Sequence, residues 1–316
     1  MGEFRRVKEV LISGADGQLV SDIINTLYTP ENDRFFNIKA YNRRRLDVTH
    51  KLALEAEFAR YNPDFFIQGA SYHVVEEINK NPKEACDVNL ASLHYLSELC
   101  NQYDCTLINF STNYVFSGLK PPLEDFRELD HYNEIDDPSP VNLYGILKYA
   151  GEQILSTSCE RYYNIRVSGL FGKTGSRAKN GSNFPYTIKK NLEISNKADH
   201  LEPVKVVADQ IVNVGYTVDL AEVIVKMMLQ EKQNLYGLYH LANKGECTWY
   251  EVASKVAEVL GYNEDKVIPI STDEFYTNLK RPKDTSLNMW KVENRFGVDI
   301  PRWDNAIERF FKNEVL

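Results

Sequence analysis

Residues 7–28, "VKEVLISGADGQLVSDIINTLY", hold the strongest fold signal in the chain. An apolar, β-rich run leads into two glycines, Gly14 and Gly17, and then into a helical pattern beginning at Gln18. A strand, a glycine turn and a helix in that order present backbone N–H groups at a helix N-terminus, where the positive end of the dipole favours an anion. Glycines in such a turn let the pyrophosphate of a dinucleotide approach the backbone closely. A third glycine normally follows three residues later, so that the helix can pack tightly on the strand. Val20 stands there instead. It predicts a helix pushed slightly outward, or a small residue facing the valine.

Further along, short apolar runs alternate with longer helical patterns. "NIKAY", "PDFFIQGA", "TLINFST" and "YYNIRVSGLFG" read as strands; "HKLALEAEFARY", "PKEACDVNLASLHYLSELCNQY" and "LYGILKYAGEQILSTS" read as helices. Strands separated by helices pair in parallel through right-handed crossovers, which predicts an α/β fold with a doubly wound, Rossmann-type sheet. Ligands bind such sheets at the carboxyl ends of the strands. After residue 172 the texture changes, and "VKVVADQ", "LYGLYHLAN" and "WYEVASKVAEVLG" divide between further strands and a smaller lobe. The expected division is a cofactor-binding core over 1–172 with returning segments near 205–260. A smaller C-terminal substrate-binding lobe takes 173–204 and 261–316. Two polar stretches, 124–142 and 172–183, read as mobile loops.

Composition narrows the classes. A net charge of −8 over 316 residues argues against broad nucleic-acid binding, which needs a basic face. Apolar runs such as "EVLISGA" are too short to span a bilayer, and "MGEFRRVKEV" has no signal-peptide core, so a cytoplasmic protein without membrane association is expected. Five cysteines show no metal-type pairing, and six scattered histidines lack the spacing of a helical zinc site; no metal is expected. "GLFGKTG" contains the end of a phosphate-loop motif, but Val167 occupies the place of its first glycine.

The tip of the second strand, "AYNRRRLDVTH", lies where the adenosine ribose of a dinucleotide is read. An acid there favours NAD, and arginine favours the 2′-phosphate of NADP. Arg43, Arg44 and Arg45 precede the first acid, Asp47, so NADPH is the expected cofactor and NADH the alternative.

Four tyrosines are followed four residues later by lysine: Tyr144/Lys148, Tyr186/Lys190, Tyr262/Lys266 and Tyr276/Lys280. Only Tyr144/Lys148 starts a helix just after a strand ending in hydroxyls, Ser111 and Thr112. A phenol titrates near ~10, and a neighbouring ammonium eases its proton exchange. Thr112 adds a hydrogen bond to a substrate oxygen that gains charge.

Taken together these segments resemble the extended short-chain dehydrogenase/reductase superfamily, and within it the dTDP-4-dehydrorhamnose reductase family. The likeness covers nearly the whole chain: "SGADGQL", "RRRLDVTH", "NPDFFIQGASYHVVEEINKNPKEACDVN", "STNYVFSG", "NLYGILKYAGE", "LYGLYHLANKGECTWYEVA" and "RPKDTSLN" are similar to family motifs. It implies NAD(P)H-dependent reduction of the 4-keto group of a nucleotide-linked 4-keto-6-deoxyhexose. Tyr144 would protonate the oxygen and also contact the cofactor, Lys148 would hold the nicotinamide ribose and polarise Tyr144, and Thr112 would bond the keto oxygen. Gly14, Asp16, Gly17, Gln18, Leu19 and Arg43 would contact the cofactor. Asp47 and Val48 would flank the adenine, while Ala70, Ser71 and Ser111 would line the dinucleotide groove. His73, Asn113 and Asn183 would face the substrate. The partner is then a nucleotide-linked sugar, with a homodimer among the assemblies open to the chain.

Departures fall mostly on the substrate side. Asn113 replaces an aspartate, Gly169 stands where the family has a tryptophan, and "DQIVNVG" lacks the family's Gly, Pro and Thr. An enlarged or reshaped sugar pocket is expected, with the chemistry kept and the specificity shifted. Two other readings fit the fold: a nucleotide-sugar epimerase or dehydratase, and a non-catalytic NADP-binding regulatory subunit.

Overall fold

The computed structural model describes residues 6–119, 131–176, 180–197, 202–275 and 280–312. Parts of both polar stretches expected to be mobile, 124–130 and 177–179, lie outside the described residues. The first half runs β1 (Lys8–Ser13), α1 (Gln18–Leu27), β2 (Phe36–Tyr41), α2 (Lys51–Tyr61) and β3 (Phe65–Gln68). Then come the short α3 (Val75–Ile78) and α4 (Pro82–Cys86), a π-helical turn (Asp87–Ala91), α5 (Ser92–Gln102), β4 (Thr106–Thr112), α6 (Leu143–Ser158) and β5 (Tyr162–Val167). The second half holds β6 (Leu170–Phe171), α7 (Phe184–Ser195), β7 (Val204–Val207), β8 (Ile211–Val212), β9 (Gly215–Tyr216) and α8 (Thr217–Leu229). It ends with β10 (Gly237–Leu241), β11 (Cys247–Thr248), α9 (Trp249–Val259), β12 (Val267–Ile270), α10 (Trp290–Phe296) and α11 (Trp303–Lys312).

Six strands form one parallel sheet in the order β10-β5-β4-β3-β1-β2. This is the doubly wound sheet that the alternation implied. Neighbouring residues on each strand feed opposite layers, as the two-residue pleat demands. Val10, Ile12, Phe65 and Ile67 pack into one core with α1 and α8; Leu11, Phe66 and Leu107 pack into another with α2 and α5. The strand order reverses at β1, which has β2 on one side and β3 on the other. A crevice opens at that switch point, and the Gly14 turn sits at its mouth.

Val20 meets a small residue. It is 3% exposed, and a Cβ placed on Gly69, at the end of β3, would collide with Val20 Cγ2 and lie 2.6 Å from Ser13 O. Bulk absent at 69 is the space that bulk at 20 occupies. Gly69→Ala is therefore expected to cost about 1–3 kcal/mol, the range for overpacking a tight interior. Val20→Ala in the same chain should return part of it, because the clash with Ser13 O remains. Urea midpoints of the single and double variants measure this, and strictly additive losses would mean the two sites are not coupled.

Two elements differ from expectation. "YYNIRVSGLFG" is not one strand, because Gly169 takes φ +49 and turns the chain out of the sheet. β6 beyond it pairs with β9 instead. The long helix over 82–103 is interrupted by the π-helical turn.

A second core gathers Phe171, Ile188, Leu192, Val206, Val252, Val256, Trp303, Ile307 and Phe310 from β6, α7, β7, α9 and α11. The chain crosses between the two bodies more often than the division at 172 allowed. β7 and α9, from the segment 205–260, belong to the smaller core. In the other direction α10, assigned with 261–316, packs under the sheet, where Phe296 lies 6.1 Å from the Tyr163 ring and 5.4 Å from that of Tyr239. Texture along the sequence does not reveal such crossings, since Val- and Phe-bearing helices suit either core.

Candidate active site

Gly14 holds φ +66, and a Cβ there would sit 2.5 Å from Gly69 C and 2.6 Å from Ala70 N. No side chain fits between the loop and β3, which leaves the backbone bare toward the crevice. Gly17 is the N-cap of α1, no side chain caps that helix, and no acid occupies its first turn. An uncapped, positively polarised helix end beside a glycine cradle fits a pyrophosphate. Asp16 lies on the turn between the glycines, and Leu19, 5% exposed, anchors α1 in the core. Gln18 Oε1 accepts a 3.1 Å hydrogen bond from Asn183 Nδ2, which ties the loop to the start of α7.

The tip of β2 is fixed beside this cradle by Ala15 N donating to Tyr41 O at 3.0 Å. Arg43, Arg44 and Arg45 follow, all exposed. Arg43 Nη2 lies 2.9 Å from Glu84 Oε1 and its Nε 3.3 Å from Asp47 Oδ2. Asp47 Oδ1 also accepts from Thr49 N at 3.0 Å and Thr49 Oγ1 at 2.8 Å. Burial would raise the carboxyl's pKa, but these donors and Arg43 hold it below the ordinary value. Val48 differs from expectation: its side chain is 2% exposed in the core, so only its backbone can border an adenine. Ala70 is half-buried against the same core, on the β3 side.

Asn142 caps α6, its Oδ1 accepting from Gly145 N at 2.9 Å. A Cβ on Gly145 would collide with Tyr114 O, so the missing side chain lets the first turn of α6 rest on the end of β4. Tyr144 thereby comes close enough to Thr112 for the threonine hydroxyl to favour its ionised form. Burial lifts the Tyr144 phenol to about 12, with the Thr112 bond pulling the other way. Lys148, one turn on and 7% exposed, is lowered to about 8 by burial, against the pull of the Glu152 carboxylate. Its Nζ points across the crevice to Ser71 Oγ at 3.5 Å. Thr112, Tyr144, Lys148 and Ser71 therefore converge at the carboxyl ends of β3 and β4.

The other tyrosine–lysine pairs do not share this setting. Tyr186 and Tyr262 pack on the second core, and Lys266 Nζ is held by Ser195 O at 2.8 Å. Tyr276 lies outside the described residues.

Ser111 does not face the crevice with Thr112. Its hydroxyl donates to Glu152 Oε1 at 2.5 Å, and Arg166 grips the same carboxylate through Nε at 2.9 Å and Nη2 at 2.7 Å. Glu152 lies one turn beyond Lys148, and Arg166 Nη1 is 3.3 Å from His240 Nε2. Burial and the guanidinium hold His240 well below its ordinary pKa, hence neutral. This buried group stiffens the helix that carries Tyr144 and Lys148. Asn89 on the π-helical turn was not foreseen either. Its Oδ1 accepts from Tyr72 N at 3.1 Å and Ser71 Oγ at 3.3 Å, and its Nδ2 donates to Tyr72 O at 2.9 Å. The wider turn aims an asparagine at the loop after β3, a common use of π-bulges. A lone Asn in a helical run carries little signal of that kind.

Of the residues expected at the substrate, His73 is exposed at the crevice, with Nδ1 3.3 Å from Ser71 O and Nε2 3.2 Å from Ser176 Oγ. Asn183 is 5% exposed; its Nδ2 also donates to Gly172 O at 2.8 Å, and its Oδ1 caps α7. Asn113 is 3% exposed and donates to Thr285 Oγ1 at 2.6 Å, so it joins the late segment to β4 instead of facing open space. The side that a residue-169 side chain would occupy is filled as well: a Cβ on Gly169 would lie 3.0 Å from Val214 Cγ1 and from Asn213 O. Val214 takes up space beside Gly169, so of the two outcomes expected there, enlargement or reshaping, the packing at this point fits the second.

Comparison with known proteins agrees with this geometry. Residues 8–315 match the family model described as the RmlD substrate binding domain. A dTDP-4-dehydrorhamnose reductase of Bacillus anthracis, solved with NADP, superposes with a TM-score of 0.84 at 30% identity, over 98% of this chain and all of that one (100%). Among curated sequences, a dTDP-4-dehydrorhamnose reductase of Aggregatibacter actinomycetemcomitans is 29% identical, covering 95% of this chain and 97% of its own. The spore coat polysaccharide biosynthesis protein SpsK of Bacillus subtilis is 26% identical over 96% and 97%. With a glycine cradle, a Thr–Tyr–Lys cluster and a family match along nearly its whole length, the chain belongs to the RmlD substrate binding domain family.

Proposed function

We propose that this protein is an NADPH-dependent reductase of the 4-keto group of a nucleotide-linked 4-keto-6-deoxyhexose. The convergence of Thr112, Tyr144 and Lys148 beside the cradle of Gly14 and Gly17 carries the reading. A reduced nicotinamide, when bound, would supply the hydride for C4. Thr112 and Tyr144 bond the keto oxygen, and Tyr144 gives it the proton as charge builds there. A phenol raised to about 12 still holds its proton at neutral pH, as the acid of a reduction must. The ammonium of Lys148 then stabilises the phenolate left behind. Ser71, held by Asn89, fixes the far wall that Lys148 faces.

The test is consumption of NADPH with a panel of nucleotide-linked 4-keto-6-deoxysugars, followed by the loss of nicotinamide absorbance. Turnover of at least one member is expected. Tight NADPH binding without turnover of any would favour a binding module, and conversion of a sugar with no net change in the cofactor would favour an epimerase or dehydratase.

A further inference from the structure

We propose that Glu84 tempers the preference of this protein for NADPH over NADH, by holding the guanidinium of Arg43 that a 2′-phosphate would need. The inference rests on the reading that Arg43 is the phosphate clamp. Arg43 leaves the tip of β2, and Glu84 belongs to α4, reached from β3. These strands flank β1 on opposite sides, so the 2.9 Å ion pair spans the adenosine end of the crevice like a strap. The second carboxylate on the guanidinium, Asp47, is itself tied down by both donors of Thr49. Glu84 is 42% exposed and the freer of the two to yield.

A ribose 2′-phosphate adds about two negative charges at this spot. To reach Arg43 it must displace the Glu84 carboxylate or sit beside it, and either course opposes binding. NADH brings only a hydroxyl and leaves the pair intact. Glu84 therefore narrows the margin by which three consecutive arginines would favour NADPH. Because the pair is open to solvent, the effect is modest and sensitive to salt.

Dissociation constants of NADPH and NADH, measured by calorimetry on wild type, Glu84→Gln and Arg43→Ala, test this without reference to turnover. Glu84→Gln is expected to bind NADPH about three- to tenfold more tightly at low ionic strength, with NADH changed by less than about twofold. The gain should shrink as salt is added. Suppose Arg43→Ala weakens NADPH but Glu84→Gln leaves the NADPH/NADH ratio unchanged: the role of Glu84 is then overturned and the clamp stands. If Arg43→Ala leaves NADPH affinity unchanged, the clamp itself fails and Glu84 with it.

Discussion

Tyr144→Phe is expected to lower kcat/KM for the keto-sugar by at least ~10²-fold, the usual scale of a lost general acid. NADPH affinity should change far less, because under the proposed function the phenol acts on the reacting oxygen and the pyrophosphate would rest on the Gly14–Gly17 turn. The ring packs edge-on against Tyr114 at 6.0 Å, and phenylalanine keeps that contact. Loss of the hydroxyl leaves Thr112 with its other partners, Asn113 Oδ1 at 3.3 Å and Tyr114 N at 3.2 Å, so the fold has little reason to move. A variant that retains wild-type turnover would remove Tyr144 from the chemistry and leave Thr112 or a bound water as the proton source.

Lys148→Met should divide activity from stability. Activity is expected to fall by about 10²-fold, since the phenolate loses its ammonium. Stability at neutral pH is expected to rise, by up to roughly 3–4 kcal/mol from a shift of the ordinary 10.5 down to about 8 at roughly 1.4 kcal/mol per unit. The sign follows from linkage. The folded-state pKa lies below the unfolded one, so the cost of the buried charge is complete below about 8 and fades as pH climbs toward 10.5. Methionine removes that cost at neutral pH, and the advantage over wild type should vanish by about pH 10.5. Urea unfolding at both pH values measures it; a methionine variant less stable than wild type at neutral pH would contradict the burial account. The same titration predicts that wild-type kcat/KM declines as pH rises through about 8, long before Tyr144 loses its proton near 12.

Much of the fold was legible because strand and helix periods alternate cleanly through residue 167. The glycine turn was legible too, since glycines at 14 and 17 fall just where β1 gives way to α1. The valine at 20 left two outcomes open, a helix pushed outward or a small neighbour, and Gly69 is such a neighbour. What stayed hidden depends on direction in space. Ser111 and Thr112 look alike on paper, yet the Ser111 hydroxyl turns to Glu152 while that of Thr112 stays on the side of Asn113 and Tyr114. Asn89 becomes informative only when a π-helical turn aims it at residues 71 and 72. Three arginines in a row advertise a phosphate site, but Glu84 lies 41 positions away and reaches it through the sheet order alone.

The late arrival of β10 and α10 under the sheet has a bearing on how the protein is made. During synthesis from the N-terminus, β5 must wait at the growing edge until residues 237–241 emerge. Tyr163, fully buried in the finished molecule, is covered only when Tyr236, Tyr239 and finally Phe296 arrive. An unpaired strand edge beside an apolar face is a template for association with other chains. A fragment ending near 172 is thus expected to aggregate despite carrying the whole cradle and the Thr–Tyr–Lys cluster. Trimming to a minimal module of the first 172 residues is therefore expected to fail, because the strand at 162–167 needs residues 237–296 to seal it.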